Sequence, residues 1–493
     1  MANCWSLHRE IAKGGIGPLH QQVTIGSLPD DVLLKFFKYA IREMYYSYSS
    51  NEKWRTLVHV CRRWRNMTFT YPRHLNLELV YSPSERSVKE MLDIWPELPI
   101  YIWAFSYPTM ETITNVVAAL TLNHRVSRIR FNELPNWTWK RFGPLMERPF
   151  PALTDFYLRP YSPDPVVPIS RSFLGGSAPC LQDLYLESIS FPALPNLLLT
   201  ATNLVRLSYI DIPPSGYIPP QAMATGLSAL TRLQRLSLTF QPESFPYRAI
   251  RIPPPHTRTL LPALTYLCLR GVPEYVEDLV AQVDTPLLES TKITLFHREV
   301  LEVSELSKFV RRADKLSLRD RAEVTFESDR ITVLLSEIFE VIVDPKTLRL
   351  CSPCPESNLR LSYLAQFCAS CLPTLSPFES LHILVPRHYT PYSWPDVTDN
   401  HSQWLELLRL FNTVKELRLS ITVAPRVAQV LRGLPAERVS EVLPALENVF
   451  ISGLNLYKFN PVKEIISEFV DARQLSAHPV SIHHWKGRGR FAR

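Results

Sequence analysis

Four cysteines fall in two close pairs, Cys351-x-x-Cys354 and Cys368-x-x-Cys371, with 13 residues between them. Thiolates at such spacing can enclose a tetrahedral zinc ion. Here Cys351 closes a strand-like segment, Cys354 lies in the proline-rich turn CSPCPES, and Cys368 and Cys371 sit one helical turn apart. A strand end and the far end of a helix of about 12 residues are roughly 18 Å apart, too far for one ion. Buried structural cysteines are therefore expected, with no metal and no other cofactor. His478, His483 and His484 lack a regular ligand pattern and read as a solvated terminal loop. The run Lys13-Gly14-Gly15-Ile16-Gly17 lacks the Lys-Ser/Thr step and the preceding strand of a phosphate loop. The sequence holds no HExxH, no GxSxG and no catalytic carboxylate pair of recognisable spacing. It reads as a non-catalytic chain.

What remains is recognition chemistry. Basic residues recur beside the apolar positions of short cassettes: Arg128, Arg130, Arg159, Arg206, Arg235, Arg270, Lys292, Lys315, Arg319, Arg349 and Arg418. The acidic residues at equivalent places are fewer: Glu78, Asp155, Asp183, Glu187 and Glu416. A guanidinium donates two parallel hydrogen bonds and suits carboxylate or phosphate. Such a face is expected to bind an acidic or phosphorylated segment of a target protein, Arg128, Arg130, Arg159, Arg206, Arg235, Arg270 and Arg319 being the candidates. The competing reading leaves these side chains solvated and satisfied by local partners. The net charge is +7, and four of its positive charges (Lys486, Arg488, Arg490, Arg493) crowd into the last eight residues. That distribution argues against a nucleic-acid partner.

The elements that carry these residues repeat. The cassette apolar-x-x-apolar-x-apolar occurs as LTDFYL from Leu153, LQDLYL from Leu181, LVRLSY from Leu204 and LQRLSL from Leu233. It continues as LTYLCL from Leu264, ADKLSL from Ala313, VKELRL from Val414 and LENVFI from Leu446. Weaker copies start at His74, Val126, Leu288, Pro345 and Phe378, and an aromatic variant, IYIWAF, starts at Ile100. The spacing is roughly 29 residues, at the upper end of the leucine-rich-repeat range. Alternating apolar positions predict strands with one buried face. Between cassettes, helical patterns cover Val88–Trp95, Met110–Thr121, Glu274–Val283, Ser304–Arg311, Leu359–Cys371, Trp404–Phe411 and Val462–Ala472. One such unit cannot bury its own apolar face, whereas stacked units share a core. The expected fold is an α/β repeat, an irregular leucine-rich-repeat solenoid (horseshoe) over 73–475 with its strands on the concave side. A doubly wound α/β enzyme also alternates strand and helix, but it needs glycine loops that this sequence lacks.

Composition agrees with a folded chain: 493 residues, 46% hydrophobic and 20% charged. Eight cysteines over this length are too sparse for a disulfide framework. No apolar run approaches the roughly 18 residues of a membrane span. The first 26 residues show no apolar leader core and read as a flexible segment, with 476–493 as a basic tail. A cytoplasmic or nuclear location, with no membrane partner, is expected.

Residues 27–72 differ from the repeats. In SLPDDVLLKFFKYAI, Ser27 or Asp30 can cap a helix whose Val32, Leu33, Phe36, Phe37 and Ala40 share a stripe. In WRTLVHVCRRWRNM, Leu57, Val60, Cys61 and Trp64 form a second stripe. Leu-Pro before an acidic pair and an aliphatic helix, then V-C-R-R-W-R, all upstream of leucine-rich repeats, resembles an F-box. The whole resembles the large fungal (basidiomycete-type) F-box proteins. Arg42–Lys53 makes the gap between the helices longer than the usual motif. The resemblance implies the substrate-recognition subunit of a Skp–cullin–F-box E3 ubiquitin ligase. The Skp-type adaptor, and through it a cullin, would contact Leu28, Pro29, Val32, Leu33, Phe36, Val60, Cys61 and Trp64. Some of these must instead form the box's own core, Trp64 and Phe37 first. A repeat scaffold without ligase association is the alternative.

Overall fold

A computed structural model describes residues 25–44, 55–71, 75, 79–81, 98–105, 108–163, 166–242, 257–296, 304–317, 320–327, 330–336, 347–353, 361, 364–365, 368–369, 378–385, 401–434, 441–452, 461–475 and 478–485. The expected helix at Val88–Trp95, most of Leu359–Cys371, and Glu78, Arg319, Cys354 and Cys371 lie outside the described residues.

Each leucine cassette folds as a tight turn that feeds a strand. The first apolar residue belongs to the turn: the N–H of Leu153, Leu181, Leu204, Leu233, Leu264, Leu288 and Leu446 bonds the carbonyl three residues back. Only the later apolar positions alternate, and these enter the sheet. The N–H just before each strand reaches the preceding repeat: Gln182 to Thr154, Val205 to Gln182, Gln234 to Val205 and Thr265 to Gln234, at 2.7–2.9 Å. This recurring bond sets one register for the whole array.

The chain divides into two units, Met1–Tyr81 with Arg86–Tyr101, and Ser82–Glu85 with Ile102–Arg493. The second is built on a mixed sheet. Its strands are β1 (Val126–Leu134), β2 (Asp155–Pro160), β3 (Asp183–Glu187), β4 (Arg206–Ile212), β5 (Arg235–Phe240), β6 (Tyr266–Gly271) and β7 (Ser290–Leu295). They continue as β8 (Arg321–Phe326), β9 (Arg330–Ser336), β10 (Leu348–Pro353), β11 (Ser380–Leu384), β12 (Glu416–Leu419), β13 (Asn448–Ser452) and β14 (Ser481–Trp485). In space the order is β1 to β7, then β10, β9, β8, then β11 to β14. Pairing is parallel except at β10–β9 and β9–β8, which run antiparallel.

One apolar ladder joins Ile129, Phe156, Leu184, Leu207, Leu236, Leu267, Thr291, Leu348, Leu335, Ala322, Leu381, Leu417 and Val449. None of them is more than 2% exposed. Helices of this unit include Met110–Thr121, Leu194–Leu198, Pro220–Leu227, Pro273–Gln282, Ser304–Arg312, His401–Arg409, Ala424–Arg432 and Pro461–Leu475. Neighbours pack side by side. Gly226 permits one such approach, since a Cβ there would stand 2.8 Å from Pro195 Cα. Glu277 joins the next pair: its carboxylate accepts the N–H of Glu305 (2.7 Å) and Leu306 (2.8 Å) at the start of Ser304–Arg312. Burial pushes that carboxyl up to about 7. Among the described residues no helix is long and apolar enough to cross a membrane.

Two expectations change. The ADKLSL cassette is not a strand: Asp314–Ser317 is a short helical turn, and the strand is β8, RAEVTF, whose Ala322, Val324 and Phe326 alternate inward. The parallel run is interrupted where β9 turns back on β8. The sheet does not stop at 475, and His483 and His484 are not in a loop. β14 pairs with β13, where His483 stacks on Phe450 at 5.0 Å and Nε2 lies 3.0 Å from Asn448 Oδ1. Without β14, the backbone of β13 would be an unpaired edge.

Candidate functional site

In the first unit, α1 (Asp30–Met44) is followed by the short α2 (Arg55–Val58) and by α3 (Arg62–Thr70). The Pro29 carbonyl accepts the Leu33 N–H at 3.0 Å, so the Leu28-Pro29 turn starts α1. Arg63 of α3 pins that turn: its Nη2 donates at 2.6 Å to both the Leu28 carbonyl and Asp30 Oδ1. Cys61 caps α3, its Sγ accepting the Trp64 N–H at 3.5 Å. Arg65 Nε donates to the Val58 carbonyl, closing α2 onto α3.

The apolar stripe of α1 splits in two. Leu33, Leu34 and Phe37 enter a core with Leu57, Val58, Trp64, Met67, Leu75 and Leu98, against which Leu28 packs half-buried. The Phe37 and Trp64 rings lie 4.7 Å apart. Val32, Phe36 and Tyr39 face out, 39%, 45% and 71% exposed, and Val60 beyond α2 is 58% exposed. Leu33 and Trp64, expected at an adaptor contact, are inner residues here: a unit this small needs them beside Leu34, Phe37, Leu57 and Met67 to fill its centre. Pro29 and Cys61 are exposed. Tyr39 was missed by the sequence reading, although it stands seven positions after Val32 and three after Phe36, on one helix face.

In the second unit, one polar ladder crosses all fourteen strands: Arg130, Tyr157, Tyr185, Ser208, Ser237, Cys268, Lys292, Arg349, Leu334, Glu323, His382, Arg418, Phe450 and His483. Arg128, Asp155, Asp183, Arg206, Arg235 and Tyr266 form the row beside it. The sheet thus brings Arg128, Arg130, Arg159, Arg206, Arg235 and Arg270 onto one face. Carboxylates on other strands answer four of them. Arg206 Nη2 donates to Asp183 Oδ2 at 2.6 Å, Arg159 pairs with Glu187 at 3.3 Å, and Arg270 with Asp211 at 3.7 Å. Arg128 stands 3.9 Å from Asp155. Arg130 lies over Tyr157 and Arg235 over Tyr266, at 4.7 and 4.3 Å from the ring centres. Tyr157 stacks on Tyr185, whose hydroxyl donates to Glu187; burial and that carboxylate hold the phenol well above its ordinary range. Lys292 and Arg349 are paired in register and exposed. Lys315 is absent from this face; it sits in the Asp314–Ser317 turn and donates to Glu289 at 2.7 Å.

The far part of the face was not singled out from sequence, apart from Glu416 and Arg418. Ser380 and His382 of β11 lie between Arg321 and Glu323 of β8 and Glu416 and Arg418 of β12. His382 is 3% exposed and its Nε2 is 3.0 Å from Ser380 Oγ. Burial, then Arg321 and Arg418, lower its imidazole to about 2, so it is neutral. Arg418 lies over Phe450 (4.8 Å) and Trp485 (5.8 Å) and bonds Glu416 at 2.9 Å; Arg321 pairs with Glu323. Arg321 and Glu323 hid in a stretch where the cassette was assigned six residues too early. Among the described residues, no three His, Cys, Asp or Glu side chains gather as a metal site, and Cys351 and Cys368 are buried and free.

No protein-family model matches the chain, and no curated protein matches it. A search of solved structures finds the leucine-rich repeat-containing protein LegL7 from Legionella pneumophila. It is 11% identical, with a TM-score of 0.25, and the alignment covers 80% of this chain and 97% of that one.

Proposed function

We propose that this chain is the substrate-recognition subunit of a Skp–cullin–F-box E3 ubiquitin ligase, the first unit binding a Skp-type adaptor and the repeats binding a target protein. The observation that carries the reading is the outward stripe of Val32, Phe36 and Tyr39, with Val60 nearby, beside a Leu28-Pro29 turn held by Arg63. Large apolar side chains grouped on one helix face mark a surface for a partner. The chain would do no bond chemistry itself. Holding a target near a ubiquitin-charged enzyme raises effective concentration, and that is its contribution.

The test is co-purification of the full chain with a Skp-type adaptor. The wild type should form a stable 1:1 complex, and Phe36→Glu with Val60→Glu should abolish it. Both positions are exposed, so the double variant should fold normally. A wild-type chain that ignores the adaptor, or a variant that still binds it, overturns the ligase reading and leaves an interaction scaffold.

A further inference from the structure

A guanidinium or imidazole nitrogen withdrawn from water requires an acceptor or donor in its place. Three nitrogens on adjacent strands have none among the described residues: Arg321 Nε on β8, His382 Nδ1 on β11 and Arg418 Nε on β12. The terminal nitrogens of both arginines are already engaged, by Glu323 and Glu416. Those carboxylates leave the inner Nε–H groups unmet. The His382 Nδ1 atom lies 3.9 Å from Glu323, beyond hydrogen-bond range. His382 Nε2 and Ser380 Oγ are 3.0 Å apart, and their donor and acceptor roles follow the ring's tautomer; the site uses the tautomer with the proton on Nδ1, in which Ser380 Oγ donates to Nε2.

The geometry points to an oxyanion-binding site at this place on the polar face, formed by Arg321 Nε, His382 Nδ1 and Arg418 Nε. A carboxylate or phosphoryl oxygen accepts several such bonds at once, and bonds to a charged acceptor are the strong ones. The site has a cover. Strands β11 and β14 are three steps apart in the sheet, roughly 14 Å. Yet the Trp485 ring of β14 stands 5.7 Å from His382, edge to face. The indole therefore lies back across the face against His382 and Arg418, a cover that strengthens any ionic bond made beneath it. Arg206, nearer β1, differs in that its Nε as well as its Nη2 donates to Asp183. The site does not depend on adaptor capture, because it is tested on the chain alone.

The experiment is thermal unfolding of the full-length protein in sodium acetate, in sodium phosphate and in sodium chloride at equal ionic strength. An oxyanion that binds should raise the midpoint above that in chloride and do so saturably. A larger rise with acetate assigns the site to acidic side chains, and a larger rise with phosphate assigns it to phosphoryl groups. Arg418→Lys keeps the charge but removes Nε–H and should weaken the apparent affinity at least about tenfold. Arg206→Lys, on the paired part of the face, should leave it unchanged. Equal midpoints in all three salts, or equal loss in both variants, overturn the proposal. So does a crystal grown in either oxyanion that shows only water between Arg321 and His382.

Discussion

The two units treat their surfaces in opposite ways. The helical unit holds a small core and leaves Phe36, Tyr39 and Val60 outside, although each could bury more apolar area. The sheet unit tucks its apolar ladder away to within 2% exposure and then sets carboxylates of other strands against Arg128, Arg159, Arg206 and Arg270. Grease is available on the first and charge is committed on the second. The lesson is that availability differs from composition: arginines with carboxylates beside them offer a partner less free charge than a count of basic residues suggests.

The sharpest way to break that contrast is to exchange inner and outer residues of α1. Phe37→Ala should cost about 3–5 kcal/mol of stability in that unit, while Phe36→Ala should cost under about 0.5 kcal/mol, read from urea melts. Similar losses at both positions would mean that the stripe is not divided. Next in size is a pH effect within the sheet unit. Glu277 has its folded value raised, so its stabilising contribution is complete below about pH 4.5 and is lost as pH rises through about 7. Wild type should lose roughly 2–3 kcal/mol relative to Glu277→Gln between pH 4.5 and 8. His382 acts in the other direction. Its folded value is depressed, so its contribution is complete above about pH 6.5 and is lost as pH falls toward about 2. In acid His382→Gln should therefore unfold at a lower pH than wild type, once the two are compared at equal neutral-pH stability. The smallest effect belongs to the matched charges. A double-mutant cycle on Arg206 and Asp183 should return about 0.2–1 kcal/mol, because Arg206 is 59% exposed and water screens it.

Much of the repeat was legible in the sequence because leucine spacing and turn prolines act over a few residues. Met110–Thr121 coincides with its helix, and the cassettes from Leu153 to Leu264 all lead into strands. The misses share a cause in long-range pairing. Nothing local in RITVLLS says that β9 returns against β8 and β10, and SIHHW looks unlike a strand until Asn448–Ser452 offers it an edge. Inner and outer positions of α1 were also inseparable by periodicity, since Leu33 and Val32 are adjacent on the helix and only Trp64, arriving from α3, decides which is covered.

The reversed trio β10-β9-β8 has a consequence for synthesis. Ordinarily each new strand arrives about one repeat after its neighbour. At β7 the neighbour is β10, whose first residue, Leu348, follows Ser290 by some 58 positions. A ribosome adding about 5–20 residues per second takes roughly 3–12 s over that stretch, about twice the usual wait. For that interval β7 presents bare backbone to the cell, and β8 does the same until β11 arrives 59 positions after Arg321, which makes this stretch of the nascent chain one where a chaperone is needed.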